Sequence, residues 1–491
     1  MTTGERPYSE GVVLVAGGGP AGLTAAYELA RHGVKVVVAE QESFPGGIAR
    51  TVTHRGYRFD IGGHRFFTKH PLVEELWHEL LGEDFLLRPR SSRIFCRNTF
   101  FDYPLKPGNV LSGLGIGESL AILASYLRRK VAPIRPEETL ADWVTNRFGD
   151  RLFELFFRSY TEKVWGVSCR EIGAQWAAQR IQGLSLRTAV ANMLRRPGTI
   201  EDGEPVRTLI GAFHYPRLGP GMMWEALCRE IVRHGGEVRF NTRVGRIVVE
   251  EGRVAGADLE GPDGKEFLPV GHLVSTMPLS RLVKELDPPP GGEVAAAASS
   301  LRYRDFLTVA LIVERENLFP DTWIYIHEES LKVGRIQNFG NWSPELIPER
   351  GTSCLGMEYF CFEGDPLWSA SDEELVALAT RELEATGLVP AGVVREGVVV
   401  RVPKAYPMYD DGYLDRVAVI REYLAGVRNL QVIGRNGMHR YNNMDHSMLT
   451  GLLAARNILG ERHDLWDVNA DDDYHEEEAS PRPPQNRREH I

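Results

Sequence analysis

Three glycines and one carboxylate near the start of the chain have the types and spacing needed to bind a dinucleotide. Gly17, Gly19 and Gly22 follow the apolar run 12–15, and Glu40 follows a second apolar run. Gly17 permits a tight turn, Gly19 lets the backbone approach a pyrophosphate, and Gly22 lets a helix pack closely on a strand. The carboxylate of Glu40 is suited to accept hydrogen bonds from both hydroxyls of a ribose.

These residues must be positioned by a strand, a helix and a second strand. The pattern predicts a buried strand over 12–15, a helix that begins near Pro20 and Ala21 and ends at Arg31, and a buried strand over 34–39. The helix N-terminus offers free N–H groups and a partial positive charge to phosphates. The sequence therefore predicts a dinucleotide site, and the alternative is a structural glycine turn in another α/β protein.

The composition is that of an ordinary globular protein. The chain has 491 residues, of which 25% are charged and 43% belong to the hydrophobic set. This length is enough for two or three domains with a sizeable core. The formal net charge of −10 argues against a nucleic-acid-binding surface, although it is compatible with a local basic pocket.

The cysteines and the apolar runs bear on the location of the protein. The five cysteines form no Cys-x-x-Cys pair and are Cys96, Cys169, Cys228, Cys354 and Cys361. An odd, scattered set indicates reduced thiols in a cytoplasmic protein. The first apolar run is the predicted dinucleotide strand, so we expect no signal peptide. We also expect no transmembrane segment, since no run is both long enough to span a bilayer and sufficiently free of polar residues.

One apolar stretch supports a membrane-linked alternative. Residues 110–127 carry few charges and are followed by Arg128, Arg129 and Lys130. Such a segment is able to lie on a bilayer and collect a lipid-linked sugar or another lipid substrate. Glu118 interrupts the run and the basic cluster is short, so we favour an amphipathic helix that covers the core of its own domain.

The residues after Glu40 carry a resemblance to known flavoproteins. Gln41 follows the acid, and Gly46, Gly47 and Arg50 then form a Gly-Gly-x-x-Arg segment. This segment resembles the flavoproteins of the amine oxidase, protoporphyrinogen oxidase and UDP-galactopyranose mutase superfamily. The resemblance implies that FAD is the cofactor and that the segment lies along its phosphates and ribityl chain.

A second segment carries the same resemblance. Residues 59–67 read Phe-Asp-Ile-Gly-Gly-His-Arg-Phe-Phe and are similar to the loop that these families place beside the isoalloxazine. The resemblance implies that Gly63 and His64 lie next to the flavin. It also implies a mixed α/β fold, with a Rossmann-type FAD-binding domain, a helical insert and an antiparallel sheet over the substrate.

Within this superfamily the chain is most similar to the UDP-galactopyranose mutases at three places. The first place reads Tyr-Thr-Glu-Lys-Val-Trp-Gly over 160–166, with Tyr-Pro-Leu before it at 103–105 and Arg180 after it. The resemblance implies that Tyr160 stacks on uracil, that Trp165 lines the sugar pocket and that Arg180 serves the substrate. Aromatic faces bury flat bases, and guanidinium groups bind phosphate oxygens. The alternative is that Tyr160 and Trp165 are core aromatics at a helix end.

The second place consists of two predicted strands, 334–339 and 357–360. They are similar to the mutase strands that carry a diphosphate-binding arginine and a tyrosine. The resemblance assigns these roles to Arg335 and Tyr359. The alternative for Arg335 is a surface salt bridge.

The third place begins near Tyr406 and continues as Gly-Arg-Asn-Gly-Met-His-Arg-Tyr-Asn-Asn-Met-Asp over 434–445. The mutases have Gly-Arg-x-Gly-x-Tyr-x-Tyr-x-Asp-Met-Asp here. The resemblance implies that Arg435 and Tyr441 bind the diphosphate and that Tyr406 contacts the substrate.

The end of this segment bears on the cofactor. The resemblance places Gly434, Asn443, Met444 and Asp445 against FAD, with a helix N-terminus that faces the pyrimidine end of the flavin. A partial positive charge there would stabilise reduced flavin. A further strand, predicted over 236–244, brings Val244 to the adenine side.

Three residues depart from the mutase pattern. Asn443 stands where the mutases have aspartate, His439 where they have tyrosine, and Phe67 where a second histidine is expected. The similarity between the motifs is patchy. These departures bear on the identity of the substrate and leave the superfamily assignment intact.

The chain is divided into three predicted domains and a tail. The FAD-binding domain is discontinuous, the insert is helical, and the substrate sheet is antiparallel. Their predicted bounds are 1–75, 215–290 and 425–470 for the FAD-binding domain, 76–214 for the helical insert, 291–424 for the sheet domain, and 471–491 for a disordered tail.

Two functions follow from the resemblance. The first is a mutase that isomerises a nucleotide-linked sugar between pyranose and furanose forms through reduced flavin N5, with His64, Arg335 and Arg435 as its catalytic set. This enzyme would need an external electron donor for the flavin. The alternative is an oxidoreductase that takes a hydride from an amine, an alcohol or a ring C–H. Neither the sugar nor the oligomeric state follows from the sequence, and no metal is expected.

Overall fold

The computed structural model describes residues 11–103, 105–174 and 211–469. A π-helical turn, Glu154–Arg158, connects two of its helices. The α-helices of the described residues are α1 Pro20–Arg31, α2 Pro71–Leu81, α3 Pro107–Val131, α4 Leu140–Phe148, α5 Asp150–Phe153, α6 Ser159–Trp165, α7 Gly221–Arg233, α8 Leu279–Glu285, α9 Gly292–Ser299, α10 Phe339–Trp342, α11 Pro366–Ser369, α12 Asp372–Ala385, α13 Tyr413–Ala425, α14 Gly434–Gly437 and α15 Met444–Ile458.

The strands range from two residues in β14 to fourteen in β19. In chain order they are β1 Val13–Ala16, β2 Val36–Ala39, β3 Thr51–His54, β4 Tyr57–Asp60, β5 Phe85–Pro89, β6 Ser92–Cys96, β7 Thr99–Asp102, β8 Ala212–Pro216, β9 Glu237–Arg239, β10 Arg243–Glu250, β11 Arg253–Gly261, β12 Gly264–Pro269, β13 His272–Ser275, β14 Leu286–Asp287, β15 Tyr303–Val313, β16 Trp323–Ile326, β17 Arg335–Asn338, β18 Ser353–Cys361, β19 Val394–Pro407 and β20 Leu430–Val432.

A parallel sheet with the strand order β20-β13-β1-β2-β9 forms the centre of the nucleotide-binding part. Val15 of β1 pairs with Val274 on one side and with Val38 on the other. Every residue of β1 and β2 is buried, as is typical of parallel strands covered on both faces. The sheet unites three separate stretches of the chain, and its carboxyl edge is where a nucleotide binds in folds of this kind.

A second large sheet has the order β19-β15-β18-β17-β16-β6-β7. Its pairs are antiparallel except for β6 and β16, which are parallel. The two sheets together confirm the predicted mixed α/β fold. The strands β5, β6 and β7 lie within the stretch that the sequence predicted to be helical, because each is only four or five residues long and gives a weak alternating pattern. The domain bounds themselves stay a prediction.

The helix α3 packs its inward face on the helical part of the chain. Val110, Leu114 and Ile122 contact the core that α4 and α5 share. Gly115 interrupts the helical backbone with φ +81°. The remaining apolar side chains of α3 face outward, so the helix covers the core as predicted but also presents a second apolar face, which the sequence analysis did not predict.

By length and composition, one helix among the described residues, Gly108–Val131, would be able to cross a membrane. A single helix of this kind is weak evidence of a span, so no clear transmembrane segment is found among the described residues. A buried core helix often passes the same test, but only 6% of the apolar window is buried here.

The cysteines agree with the expectation of reduced thiols. All five lie within the described residues, and none forms a disulfide. The predicted disordered tail, 471–491, lies outside the described residues.

A buried carboxylate joins the segments around the nucleotide-binding part. Asp60, at the end of β4, accepts hydrogen bonds from the hydroxyls of Thr51 (2.8 Å) and Tyr215 (2.6 Å). Thr51 Oγ1 in turn accepts a hydrogen bond from the backbone N–H of Gly221 at 3.1 Å. Burial raises the pKa of Asp60 to about 7, although the hydrogen bonds from the two hydroxyls act to lower it.

This pKa predicts a dependence of stability on pH. In the unfolded chain Asp60 loses its proton near its ordinary pKa of 3.8, whereas the folded chain retains it to about 7. Its contribution to the free energy of unfolding is therefore present in full below about pH 4, decreases as the pH rises to about 7, and is lost above that. We expect Asp60→Asn to flatten the fall of Tm between about pH 5 and pH 8.

The measurement is thermal unfolding across this pH range in saturating FAD. The control is Asp263→Asn in the exposed turn between β11 and β12. Parallel slopes for the wild type and Asp60→Asn would contradict the assignment of the titration to Asp60.

Candidate functional site

The glycine turn between β1 and α1 has the geometry that its spacing predicts. Gly17 has φ +110°, a conformation that favours glycine. A Cβ on Gly22 would lie 2.0 Å from the carbonyl oxygen of Gly17, so only glycine permits this close approach. Gly19 is the N-cap of α1, with Pro20 at the first helical position. No protein atom lies within 4 Å of a Cβ built on Gly19, and the helix N-terminus is therefore open to an anion.

The carboxylate of Glu40 lies at the end of β2 beside this turn. The backbone N–H of Gly18 donates to Oε2 at 2.6 Å, and the N–H of Glu42 donates to Oε1 at 2.9 Å. Burial raises the pKa of Glu40, and the two N–H donors oppose this effect. The side chain is thus held rigidly at the carboxyl edge of the parallel sheet.

A cavity of about 420 Å³ connects the glycine turn to the region of His64. Most residues predicted to bind the cofactor line this cavity. They are Gly17, Gly19, Pro20, Ala21, Glu40, Gln41, Gly47, Arg50, His64, Val244, Gly434, Arg435, Asn443 and Met444.

Four predicted cofactor residues do not line the cavity. Gly22 serves the helix packing described above, and Gly46 donates its N–H to the carbonyl of Gly18 at 2.8 Å. A Cβ on Gly63 would lie 2.9 Å from Nε2 of Gln337. Each glycine therefore allows a close approach of protein segments. The fourth is Asp445, whose buried side chain is turned away from the cavity.

The position of Asp445 follows from helical geometry. Asn443, Met444 and Ser447 line the cavity at the N-terminus of α15, whereas Asp445 is rotated by about 100° from Met444. Oδ1 of Asp445 lies 3.6 Å from Nδ1 of His446. Burial raises the pKa of Asp445 to about 7. The Asp445 side chain therefore does not line the cavity, and the assignment of Asp445 to the cofactor through the helix N-terminus stays a prediction.

The cavity also contains residues that the sequence analysis did not assign. A usable signal existed for Thr276, Met277 and Pro278, because they follow a strand of the parallel sheet and ligands bind at this edge. The others lack such a local signal, and among them are Thr242, Arg243, Arg281, Arg401, Val402, Pro403, Lys404, Asn436, Asn442 and Ser447.

His64 lies where three cations converge. Burial and, to a smaller extent, the charges of Arg435, Arg335 and Arg50 together lower the pKa of this histidine to about 3. The imidazole is therefore neutral at physiological pH. Among the described residues, its Nδ1 atom has no hydrogen-bond partner. Arginines from three distant parts of the sequence thus surround one neutral ring at the cavity.

Arg335 forms a buried ion pair across two strands. Its Nε atom lies 2.5 Å from Oε2 of Glu358, which is completely buried, and Nε2 of Gln337 donates to Oε1 of Glu358 at 2.7 Å. Burial raises the pKa of Glu358 against the effect of Arg335. The alternative of a surface salt bridge does not hold, since Glu358 is fully buried, the Arg335 side chain is only 21% exposed, and the buried carboxylate requires its partner.

Tyr359 does not face the site. Its side chain is fully buried in the core between the second large sheet and α12, and its hydroxyl donates to Glu382 at 3.2 Å. Because successive strand residues point to opposite faces, the neighbour Glu358 faces Arg335 and Tyr359 points away. The predicted substrate contact of Tyr359 is therefore wrong in this structure.

Arg435 lies beside a stacked pair of aromatic rings. The rings of Tyr406 and Tyr441 are stacked, with 5.6 Å between their centres and an angle of 14° between their planes. The guanidinium carbon lies 4.6 Å from the ring centre of Tyr441 and 5.5 Å from that of Tyr406. Its Nε donates to the carbonyl of Asn442 at 2.9 Å. Trp165 lies 6.5 Å from Tyr441. The structure thus brings four predicted substrate residues together.

Tyr160 extends this group of rings, and Tyr160, Trp165, Tyr325, Tyr406 and Tyr441 together are called the aromatic wall. Its ring is stacked on the ring of His327, with 4.8 Å between the ring centres and 10° between the planes. It meets the ring of Tyr325 edge-on, with 5.5 Å between the ring centres. Burial raises the pKa of Tyr160, and the nearby charge of Arg335 opposes this rise. Tyr325 itself contacts Tyr103 at 5.3 Å. The sequence analysis missed Tyr325, although alternate aromatic residues on β16 were a readable signal.

Two devices hold this wall in position. The π-helical turn Glu154–Arg158 precedes α6 and therefore sets the rotation of Tyr160 and Trp165. Lys163, on the same helix, donates to the carbonyls of Ile326, Glu328 and Val333 at 3.0–3.2 Å. Burial lowers the pKa of Lys163 to about 8. The predicted substrate residue Arg180 lies outside the described residues.

Comparisons with known proteins bear on this site. The model of the family described as flavin containing amine oxidoreductase matches residues 20–459. A coproporphyrinogen III oxidase from Mycobacterium leprae is 25% identical over 423 residues, which are 83% of this chain and 90% of that protein. A 15-cis-phytoene desaturase from Synechococcus elongatus is 25% identical over 482 residues, which are 92% of this chain and 97% of that protein.

The fold is also similar to solved structures. The structure of a reduced UDP-galactopyranose mutase matches with a TM-score of 0.80 at 21% identity, over 94% of this chain and 98% of that one. At this identity the match concerns the fold alone.

The open N-terminus of α1 predicts a specific loss of cofactor. We expect Gly19→Glu to abolish FAD binding, because its carboxylate would occupy the space that the pyrophosphate requires and would repel it. Gly19 has φ −82°, so the new side chain causes no backbone strain and the protein should fold. The measurement is the flavin absorbance of the purified protein before and after reconstitution with FAD.

Gly291→Glu is the matched control. Gly291 is also a helix N-cap with negative φ and no protein atom within 4 Å of a Cβ, but it lies outside the cavity. Normal flavin content in Gly19→Glu, or equal loss in both variants, would contradict the cofactor site.

Proposed function

Because the chain belongs to the flavin containing amine oxidoreductase family and is an FAD-dependent enzyme, we propose that it acts on a nucleotide-linked sugar. The reaction that we propose is isomerisation of the sugar ring, of the pyranose–furanose type, with the flavin in its reduced state. The observation that carries the proposal is the convergence of Arg335, Arg435 and several aromatic rings beside His64.

The charges and rings are suited to the two ends of such a substrate. Arg435 is held by backbone carbonyls and two tyrosine rings, so it is already oriented for a diphosphate at little entropic cost. Tyr160 and Trp165 add flat apolar faces for a base and a pyranose. A site for a wholly apolar substrate would not need this set of partly buried cations.

The cofactor is held by residues that fit FAD. The N-terminus of α1 suits the pyrophosphate, Glu40 suits ribose hydroxyls, and the N-terminus of α15 supplies partial positive charge at the other end of the cavity. When it is bound and reduced, FAD supplies a nucleophilic N5 atom, and an external donor must supply the electrons. We therefore expect the protein to lack a dedicated general base for this reaction.

His64 and the aromatic wall have positioning roles in this proposal. With a pKa near 3, His64 stays neutral and serves as a hydrogen-bonding group rather than as a proton reservoir. Tyr406 and Tyr441 exclude water from Arg435, which strengthens its attraction to an anion. The enzyme thus contributes binding, orientation and exclusion of water.

A second candidate is an oxidoreductase that removes a hydride from its substrate. One observation favours it: the charge of Arg335 is compensated by the buried Glu358, which leaves less positive charge for a diphosphate. Two relatives similar over most of the chain are a coproporphyrinogen III oxidase and a phytoene desaturase.

One experiment separates the two candidates. The enzyme is reduced with dithionite under anaerobic conditions and incubated with a set of uridine diphosphate hexoses, and the products are analysed for ring size. We expect ring isomers to accumulate without a stoichiometric oxidant. Substrate-dependent oxygen uptake in air, with hydrogen peroxide and no isomer, would instead support the oxidoreductase.

The ion pair of Arg335 determines how its role must be tested. Arg335→Ala alone would leave Glu358 buried without its partner, at a cost of about 3–5 kcal/mol in stability. We therefore expect the double variant Arg335→Gln/Glu358→Gln to retain FAD and to bind uridine diphosphate more weakly. The loss of one charge-assisted contact is about 1.5–3 kcal/mol, or roughly 10- to 100-fold in Kd.

The measurement is titration of the reduced enzyme with uridine diphosphate. Arg395→Gln is the control, since this arginine pairs with the partly exposed Glu349 at 2.9 Å, away from the cavity. Unchanged affinity in the double variant would remove Arg335 from the proposed diphosphate site.

A further inference from the structure

The outward face of α3 forms a continuous apolar stripe. Its members recur every three or four residues and therefore lie on one side of the helix. They are Ile116, Leu120, Leu123, Leu127 and Val131, with 70, 60, 49, 54 and 87% of their surface exposed. Single exposed apolar residues are common, but a contiguous exposed row of this length marks an interaction surface.

The charge within this helix is turned away from the stripe. From Gly108 to Leu127 the sequence contains one charged residue, Glu118, whose side chain is only 16% exposed because it pairs with Arg151 and Arg97. The interruption of the apolar run that is visible in the sequence is therefore absent from the outward face.

A basic end adjoins the stripe. Arg128 and Lys130 are exposed, while Arg129 turns inward and pairs with Asp150. Among the ion pairs of the described residues, none includes Arg128 or Lys130. Two carboxylates of this region, Glu118 and Asp150, are already paired with arginines, and Lys130 lies over the ring of Tyr126 at 5.2 Å. The helix thus presents an uncharged apolar row that ends in two cations outside the ion pairs of the described residues.

We propose that α3 docks on an anionic lipid surface. The stripe, about 24 Å long from Ile116 to Val131, would enter the boundary between headgroups and acyl chains, and Arg128 and Lys130 would contact anionic headgroups. The inner face of α3 packs on α4, α5 and β7, so the helix lies in the plane of the surface and does not cross it.

Charge complementarity favours lipid over a second copy of the chain. In an antiparallel pair of α3 helices, the basic end of one copy would face the N-terminal end of the other. Lys106 lies there, and the neighbouring Asp102 is already paired with it at 3.0 Å. A lipid surface supplies the missing negative charge. The net charge of −10 repels such a surface elsewhere, so the basic end also orients the molecule.

The test uses the FAD-containing protein and lipid vesicles in a flotation assay. One set of vesicles contains equal parts of phosphatidylglycerol and phosphatidylcholine, and the other contains phosphatidylcholine alone. We expect binding to the anionic set at about 50 mM salt, with a marked loss at about 500 mM. Leu120→Glu/Leu127→Glu and Arg128→Glu/Lys130→Glu should each reduce the bound fraction by more than about tenfold.

Leu87→Glu is the control, because Leu87 on β5 is 65% exposed and lies outside α3. Equal binding of all variants, or no binding to the anionic vesicles, would overturn the proposal. So would a dimer that becomes a monomer in Leu120→Glu/Leu127→Glu without any vesicle binding, since a second copy would then cover the face. A large fall in Tm in this variant but not in Leu87→Glu would overturn it as well, because another part of the chain would then cover the stripe.

Discussion

The close backbone approach on both sides of α1 is the constraint on which the cofactor cavity depends. Gly22 brings α1 against the turn after β1, and a Cβ on Gly451 of α15 would lie 2.3 Å from the carbonyl oxygen of Ala21. Because side chains are absent at these two contacts, α1 fits between the parallel sheet and α15. Two helix N-termini then face one cavity, and both favour negative charge there. The positions of the glycines thus determine the electrostatic character of the site before any ionisable side chain contributes.

The second large sheet compensates only part of this positive potential, because it contributes few carboxylates to the site. Glu358 neutralises Arg335, while Arg435 is held by carbonyl oxygens and aromatic faces, which orient a guanidinium without cancelling its charge. His64 lies among these cations and stays uncharged. The two arginines therefore differ physically, although both lie near the same ring: one belongs to a neutral pair, and the other retains its attraction for an anion.

Local motifs were predictable from the sequence, and the direction of individual side chains was less so. The turn that contains Gly17 and Gly19 is specified by residues within a few positions of each other, so the sequence alone indicates it. Tyr359 and Glu358 are adjacent on one strand. Which of them faces the site depends on the register of that strand with a partner distant in sequence, since a shift by one residue exchanges the two faces. The same holds for α3, where a period of 3.6 residues reveals apolar faces but does not tell which of them meets the core. Strand β6 was missed because its partner β16 lies more than two hundred residues further along the chain, and β7 joins the sheet only through β6.

The π-helical turn before α6 has a consequence for the evolution of the chain. A π turn absorbs one residue more than an α-helical turn without rotating the helix that follows, whereas the loss of one residue between this turn and Tyr160 would rotate the rest of α6 by about 100°. Tyr160 and Trp165 would then leave the aromatic wall together, and the donor atom of Lys163 would leave its three carbonyls. Point substitutions in this segment alter one contact at a time, whereas a deletion removes the entire arrangement. The number of residues between the turn and these side chains therefore constrains the aromatic wall more than the identity of any one residue in the segment does.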